Sequence, residues 1–327
     1  MPSYPTSPTI IWLAELDANM IPSVGGKGAN LGELLKAGFS VPNGFAVTTT
    51  AFNQTMEANE ISTALSKMKA TFDPLDLVKL EIQAHETQAL ILNAKIPTEI
   101  LSPVRAAFIS LDSPFVAVRS SATMEDSASA SFAGQHGTYL NIRSEVELTT
   151  ALINCWASLY EPRTVVYRFE KGLQELPLEM GVVVQEMINP DISGVIFTLD
   201  PVTGNPGTLT IEAIYGLGEP LVSGEITPDL YIIEKASGKI HQQIVSEQPW
   251  MLKANANEHM PDEPNSVQLP VDQFLQDRPK VTDAQISQLA QTAISIDNYY
   301  GIPQDIEWAI CDNMLYILQT RPITNVP

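Results

Sequence analysis

A chain of 327 residues is too long for one small core and suits one large or two ordinary domains. Its apolar and charged fractions, 44% and 17%, argue against global disorder. The formal net charge of −20 argues against an extended nucleic-acid surface, which rewards Lys and Arg. An acidic protein still binds phosphates where a few cations and backbone N–H groups converge. Cys155 and Cys311 stand far apart in no C-x-x-C pattern, so neither a disulfide framework nor structural zinc is expected, and a reducing cytoplasm suits them. The segment "MPSYPTSPTIIWLAELDANM" lacks the basic start and apolar run of a signal peptide. No apolar run approaches a membrane span, so no membrane partner is expected.

In chain order, "SVGGKGANLGELLKAGFSVPNGFAVTT" comes first. Leu31, Leu34 and Leu35 have helical spacing and Gly38 is a natural stop, so Gly25, Gly26, Lys27 and Gly28 fall at a helix N-terminus. Helical patterns run from Thr50 to Ser110, and strand-like "FVAV" and "YLNI" bracket the soft stretch "RSSATMEDSASASFAGQHGTY". Ser144 and Glu147 predict a capping box for the helix "VELTTALINCWASLY". "GVVVQEMI" reads as a buried strand. The stretch from "SGVIF" to "SGKI" alternates strand-like pieces with Gly and Pro turns, an antiparallel meander. Residues 255–280 read as a polar surface excursion. Thr282 and Gln285 predict another cap, with Gly301 ending that helix. "DIEWAICDNMLYILQTRPIT" closes the chain as a hairpin. A helical half and a strand-rich half predict an α+β protein of two lobes, 1–182 and 183–327.

Three places carry candidate chemistry. "VGGKGANLG" fits a phosphate-binding turn, with open N–H groups at a helix start and Lys27 adding charge. It is not a P-loop, and a purely structural glycine turn fits it as well. In the soft stretch, Arg119 follows an apolar strand and needs an anionic partner if buried. Gly134 and Gly137 would let backbone donors approach a phosphate; a solvated connector is the other reading. In the final hairpin, Trp308, Ile310, Tyr316 and Leu318 form an apolar alternation, while Glu307, Gln319 and Arg321 are polar at the open end. Glu307 and Gln319 become same-face neighbours only with an odd loop such as Asp312-Asn313-Met314. A carboxylate beside a carboxamide, with an arginine next, suits Mg²⁺ on phosphates; an ordinary edge hairpin is the alternative. The four histidines, His85, His136, His241 and His259, lack company for zinc or a triad. Ser120 and Ser121 lack the G-x-S-x-G elbow of a hydrolase.

Together, "VGGKGANLGEL…GFSVPNGFAVTT", "VAVRSSATMEDSASASFAGQHGTYLNI", "VVVQEMINPDISGVIFTLDPVTG", "YGLGEPLVSGEITPDLY" and "EWAICDNMLYILQTRPIT" resemble the nucleotide-binding domain of the phosphoenolpyruvate synthase and pyruvate phosphate dikinase family, which rifampicin phosphotransferases share. The resemblance implies an ATP-grasp architecture with ATP in a cleft between two lobes. Carried over by position, Lys27 and Arg119 would contact phosphates, and Gly134 and Thr138 would lie in the loop folding over them. Gln185 would lie near the adenine. Glu307 and Gln319 would hold Mg²⁺, and Arg321 would stabilise the transferring phosphoryl group.

In that family ATP gives its β-phosphoryl to a histidine of a swivelling domain, in a T-S-H-A-like motif, leaving AMP and phosphate. This sequence stops just after "QTRPIT" and has no histidine in such a motif. The expected function is therefore the ATP half-reaction, delivered to a phosphocarrier histidine on a separate domain or chain. The alternatives are a non-catalytic ATP-binding module, or the ATP-binding domain of a rifampicin-phosphotransferase-like enzyme.

Overall fold

The computed structural model describes residues 8–70, 76–123, 126–127, 130–131, 137–170, 172–173, 178–255 and 264–323. The chain divides into two compact units, residues 1–33 with 43–187 and residues 34–42 with 188–327. Among the described residues no helix is long and apolar enough to cross a membrane. Cys155 and Cys311 are both free thiols.

The first unit has strands β1 (Ile10–Trp12), β2 (Gly44–Val47), β3 (Val116–Ala122), β4 (Asp126–Ser127), β5 (Ala130–Ser131), β6 (Thr138–Ile142) and β7 (Met180–Glu186). Five of them form one antiparallel sheet in the order β1-β2-β7-β3-β6, and β4 pairs with β5. The helices are α1 (Ile21–Lys36), which continues to Lys36 beyond the unit's first segment, α2 (Thr49–Ala58), α3 (Ile61–Ala70), α4 (Leu77–Leu92), α5 (Thr98–Ser110), α6 (Glu145–Ser158) and α7 (Pro162–Glu170). Side chains alternate along a strand, and the alternation separates core from site. Phe45, Val47, Val116, Val118, Val182 and Val184 enter the apolar core with residues of α2–α7. Ala117, Arg119 and Ser121 take the opposite face, with Thr138 and Gln185 in register on that side. Ser144 caps α6 by accepting the Glu147 N–H at 3.2 Å. The Glu147 carboxylate, however, accepts from the Arg143 N–H at 2.9 Å, one residue before the position a capping box requires.

The second unit has strands β8 (Ile192–Phe197), β9 (Thr208–Tyr215), β10 (Asp229–Glu234), β11 (Ile240–Ile244), β12 (Trp250–Ala254), β13 (Ser266–Pro270), β14 (Gln304–Cys311) and β15 (Met314–Pro322), with helices α8 (Glu219–Val222) and α9 (Asp283–Tyr300). Its main sheet runs β11-β10-β9-β8-β14-β15, the expected meander with the closing hairpin added beside β8. Residues 34–42 belong here: the Ile317 N–H donates to the Ser40 carbonyl at 2.8 Å. The Thr282–Gln285 capping box is complete, and Gly301 ends α9 at φ 70°.

The stretch 255–280, expected as a surface excursion, ends in the interior instead, and its residues 256–263 lie outside the described residues. Phe274 is exposed, but Lys280 is fully buried against an equally buried Asp229, 2.8 Å away. The Asp229 carboxylate also accepts from the N–H groups of Ser246 and Lys280 and from the Tyr231 hydroxyl. That saturation offsets the desolvation of both charges, and breaking such a pair typically costs about 3–5 kcal/mol.

Candidate functional site

The glycine turn of the first unit breaks α1. Gly25 has φ 76° and ψ 171°, and a Cβ there would lie 1.9 Å from the Ser121 carbonyl oxygen. Only glycine permits both the dihedral and the approach. The Gly28 N–H donates to Ser121 Oγ at 3.0 Å. This corrects the reading of the turn as a set of open donors: the Gly28 amide is engaged inside the protein. Lys27 is buried, and its Nζ donates to the Ser120 carbonyl at 2.8 Å.

Arg119, also buried, sits on β3 between Thr138 of β6 and Val183 of β7. Thr138 is exposed. The Ser120 N–H and Oγ each donate to the Gly137 carbonyl at 3.0 Å. Residues 119–121 thus bring Lys27, Arg119 and Thr138 together. Gln185 is buried on the same sheet face, opposite Ala117 and Gly44. Gly134 lies outside the described residues.

In the second unit the hairpin places Glu307 directly opposite Gln319 and Asp305 opposite Arg321. The route differs from the odd loop expected. The turn has two residues, Asp312 and Asn313, with φ 50° and 62°, the left-handed pair a type I′ turn needs. Cys311 pairs Met314, Ile310 pairs Leu315 and Trp308 pairs Ile317; then the register shifts and Glu307 pairs Gln319. Leu318 is the extra residue of a β-bulge, which changes the parity that the turn leaves unchanged. Consequently Leu315 and Ile317, not Tyr316 and Leu318, join Trp308 and Ile310 on the buried face.

Arg321 is held by Asp305, with Nε and Nη2 each 2.7 Å from Oδ2. Burial raises the Asp305 carboxyl above the ordinary carboxylate range; Arg321 pulls it back and Glu307 pushes it further up. Across the sheet, Gln319, Glu307, Val195 and Glu212 form one row. Glu212 is raised too, by burial first and then by Asp305. Among the described residues no three His, Cys, Asp or Glu side chains form a metal site on their own. Glu307 and Gln319 carry side-chain oxygens of the kind that could hold Mg²⁺.

Residues 21–327 match the family described as pyruvate phosphate dikinase, AMP/ATP-binding domain. The chain belongs to this family. A probable phosphoenolpyruvate synthase of Archaeoglobus fulgidus is 39% identical over 322 residues, 97% of this chain and 42% of that relative. A rifampicin phosphotransferase of Streptomyces sviceus is 36% identical over 320 residues, 97% of this chain and 36% of that relative. The chain thus spans less than half the length of these curated relatives. A solved D-alanine–D-alanine ligase from Helicobacter pylori aligns with 64% of the chain and 42% of its own at 11% identity and a TM-score of 0.24, a likeness that carries no argument.

Ser120, Ser121 and Asp305 make these contacts but have no place in the sequence-derived site. Asp305 left a readable signal: it precedes Glu307 by two on one strand, as Arg321 follows Gln319 by two on the next. Ser121 left none, because its role depends on a partner 93 residues away.

Proposed function

We propose that this domain is an ATP- and Mg²⁺-dependent phosphotransferase module of the ATP-grasp type. It passes a phosphoryl group, the β-phosphoryl by family resemblance, to a phosphocarrier histidine on another domain or chain. With one water consumed, the other products are AMP and phosphate. The observation that carries the reading is the hairpin: an opposed carboxylate and carboxamide, with an arginine two pairs further on along the same face. Membership of an AMP/ATP-binding family supplies the nucleotide.

In this reading Lys27 and Arg119 neutralise phosphate charge, Gly134 and Thr138 belong to the loop over the phosphates, and Gln185 lies near the adenine. Glu307 and Gln319 would hold Mg²⁺, which when bound neutralises and bridges phosphate oxygens. Arg321 stabilises the transferring group, and phosphoryl transfer needs little beyond such positioning and charge. The ATP-grasp arrangement, one nucleotide served by groups of both units, is part of the proposal. The relatives' names add the synthase and rifampicin branches as contexts for the final acceptor.

The test supplies β-labelled ATP, Mg²⁺ and a histidine domain from a phosphoenolpyruvate synthase. The expected products are labelled phosphohistidine and AMP. Tight ATP binding with no label transferred would favour a non-catalytic nucleotide module instead.

A further inference from the structure

The Gly28 amide is buried, and its acceptor is a serine hydroxyl whose side chain is itself wholly enclosed. Lysine side chains carry large rotamer freedom, yet Lys27 is tied at both ends. Its backbone is followed by the Gly28 amide on Ser121 Oγ, and its ammonium rests on the Ser120 carbonyl. Both ties end on the strand that carries Arg119 in the preceding position. The Gly25 backbone lies so close against Ser121 that any side chain there would clash with it. A cation fixed before its ligand arrives loses less entropy on binding.

We infer that Ser121 is a positioning residue for ATP binding: its hydroxyl locks the start of α1 onto β3, setting Lys27 beside Arg119. The inference rests on the ATP reading above and adds how the two phosphate cations are aligned. Ser121 itself touches no substrate and acts through Lys27. The same contact assigns the glycines a packing role, leaving charge to the side chains.

The test is equilibrium ATP binding to the full chain with Mg²⁺, for wild type, Lys27→Ala, Ser121→Ala and the double variant, with thermal unfolding alongside. Removing one buried hydrogen bond predicts roughly three- to tenfold weaker binding for Ser121→Ala. In the Lys27→Ala background the same change should add nothing, because residues acting through one another are non-additive. Additive losses, or unchanged affinity in Ser121→Ala, would overturn the inference while leaving the ATP reading intact. No ATP binding by the wild type would overturn both. If Ser121→Ala does not fold, hydrogen exchange of the wild-type Gly28 amide decides: slow exchange unaffected by ATP is expected. Fast exchange that ATP slows would mean the amide serves the nucleotide rather than Ser121.

Discussion

The glycine turn of the first unit and the hairpin of the second each hold charged groups in place, but their positions are set differently. At the turn, position comes from long-range capping: Ser121 takes the Gly28 amide and the Ser120 carbonyl takes Lys27. At the hairpin, position comes from local register, with a bulge that sets Leu318 out of the pairing so that Gln319 falls opposite Glu307. The turn depends on a distant strand and the hairpin on its own register. Substitutions of the turn's glycines should therefore act through packing, and those at the hairpin through the chemistry of the side chain replaced.

The largest effect should follow Arg321→Ala. Transfer to histidine should fall by on the order of a thousandfold, since a group stabilising developing charge matters mainly to rate. ATP affinity should move by less than about fivefold. Single-turnover transfer beside equilibrium binding checks both, and unchanged transfer would remove Arg321 from the mechanism. Next comes Gly25→Ala, whose Cβ would meet the Ser121 backbone and whose φ is left-handed. A loss of about 3 kcal/mol in unfolding stability is expected, and a loss within experimental error would show that the turn is not pinned. The smallest effect should follow deletion of Leu318. Without the extra residue, regular pairing still sets Gln319 opposite Glu307, so Mg²⁺-dependent ATP affinity should stay within about threefold. A loss equal to that of Glu307→Ala would mean the bulge itself shapes the metal site.

Much of this was legible in the sequence. The meander, the α9 cap and the hairpin follow from period, turn residues and capping pairs, which are local. The shared face of Glu307 and Gln319 does not: it is expected from an odd loop, whereas the two-residue turn needs the bulge at Leu318 to produce it. A bulge leaves no compositional mark, whereas Asp312 and Asn313 are natural left-handed turn residues. The Lys280–Asp229 pair was hidden inside a polar, proline-bearing stretch, because burial of a charge is decided by its partner and not by its neighbours. The spacing of the glycine turn fits a phosphate cradle and a structural turn equally, and only the approach of Ser121 shows where the Gly28 amide goes.

The central claim is a division of labour, with the first unit's cations holding phosphates and the second unit's hairpin holding the metal. It is tested most directly by titrating ATP with and without Mg²⁺ against Lys27→Ala and Glu307→Ala. The account predicts that Lys27→Ala weakens binding in both conditions, while Glu307→Ala removes only the increment that Mg²⁺ adds. Equal losses for the two variants in both conditions would contradict it.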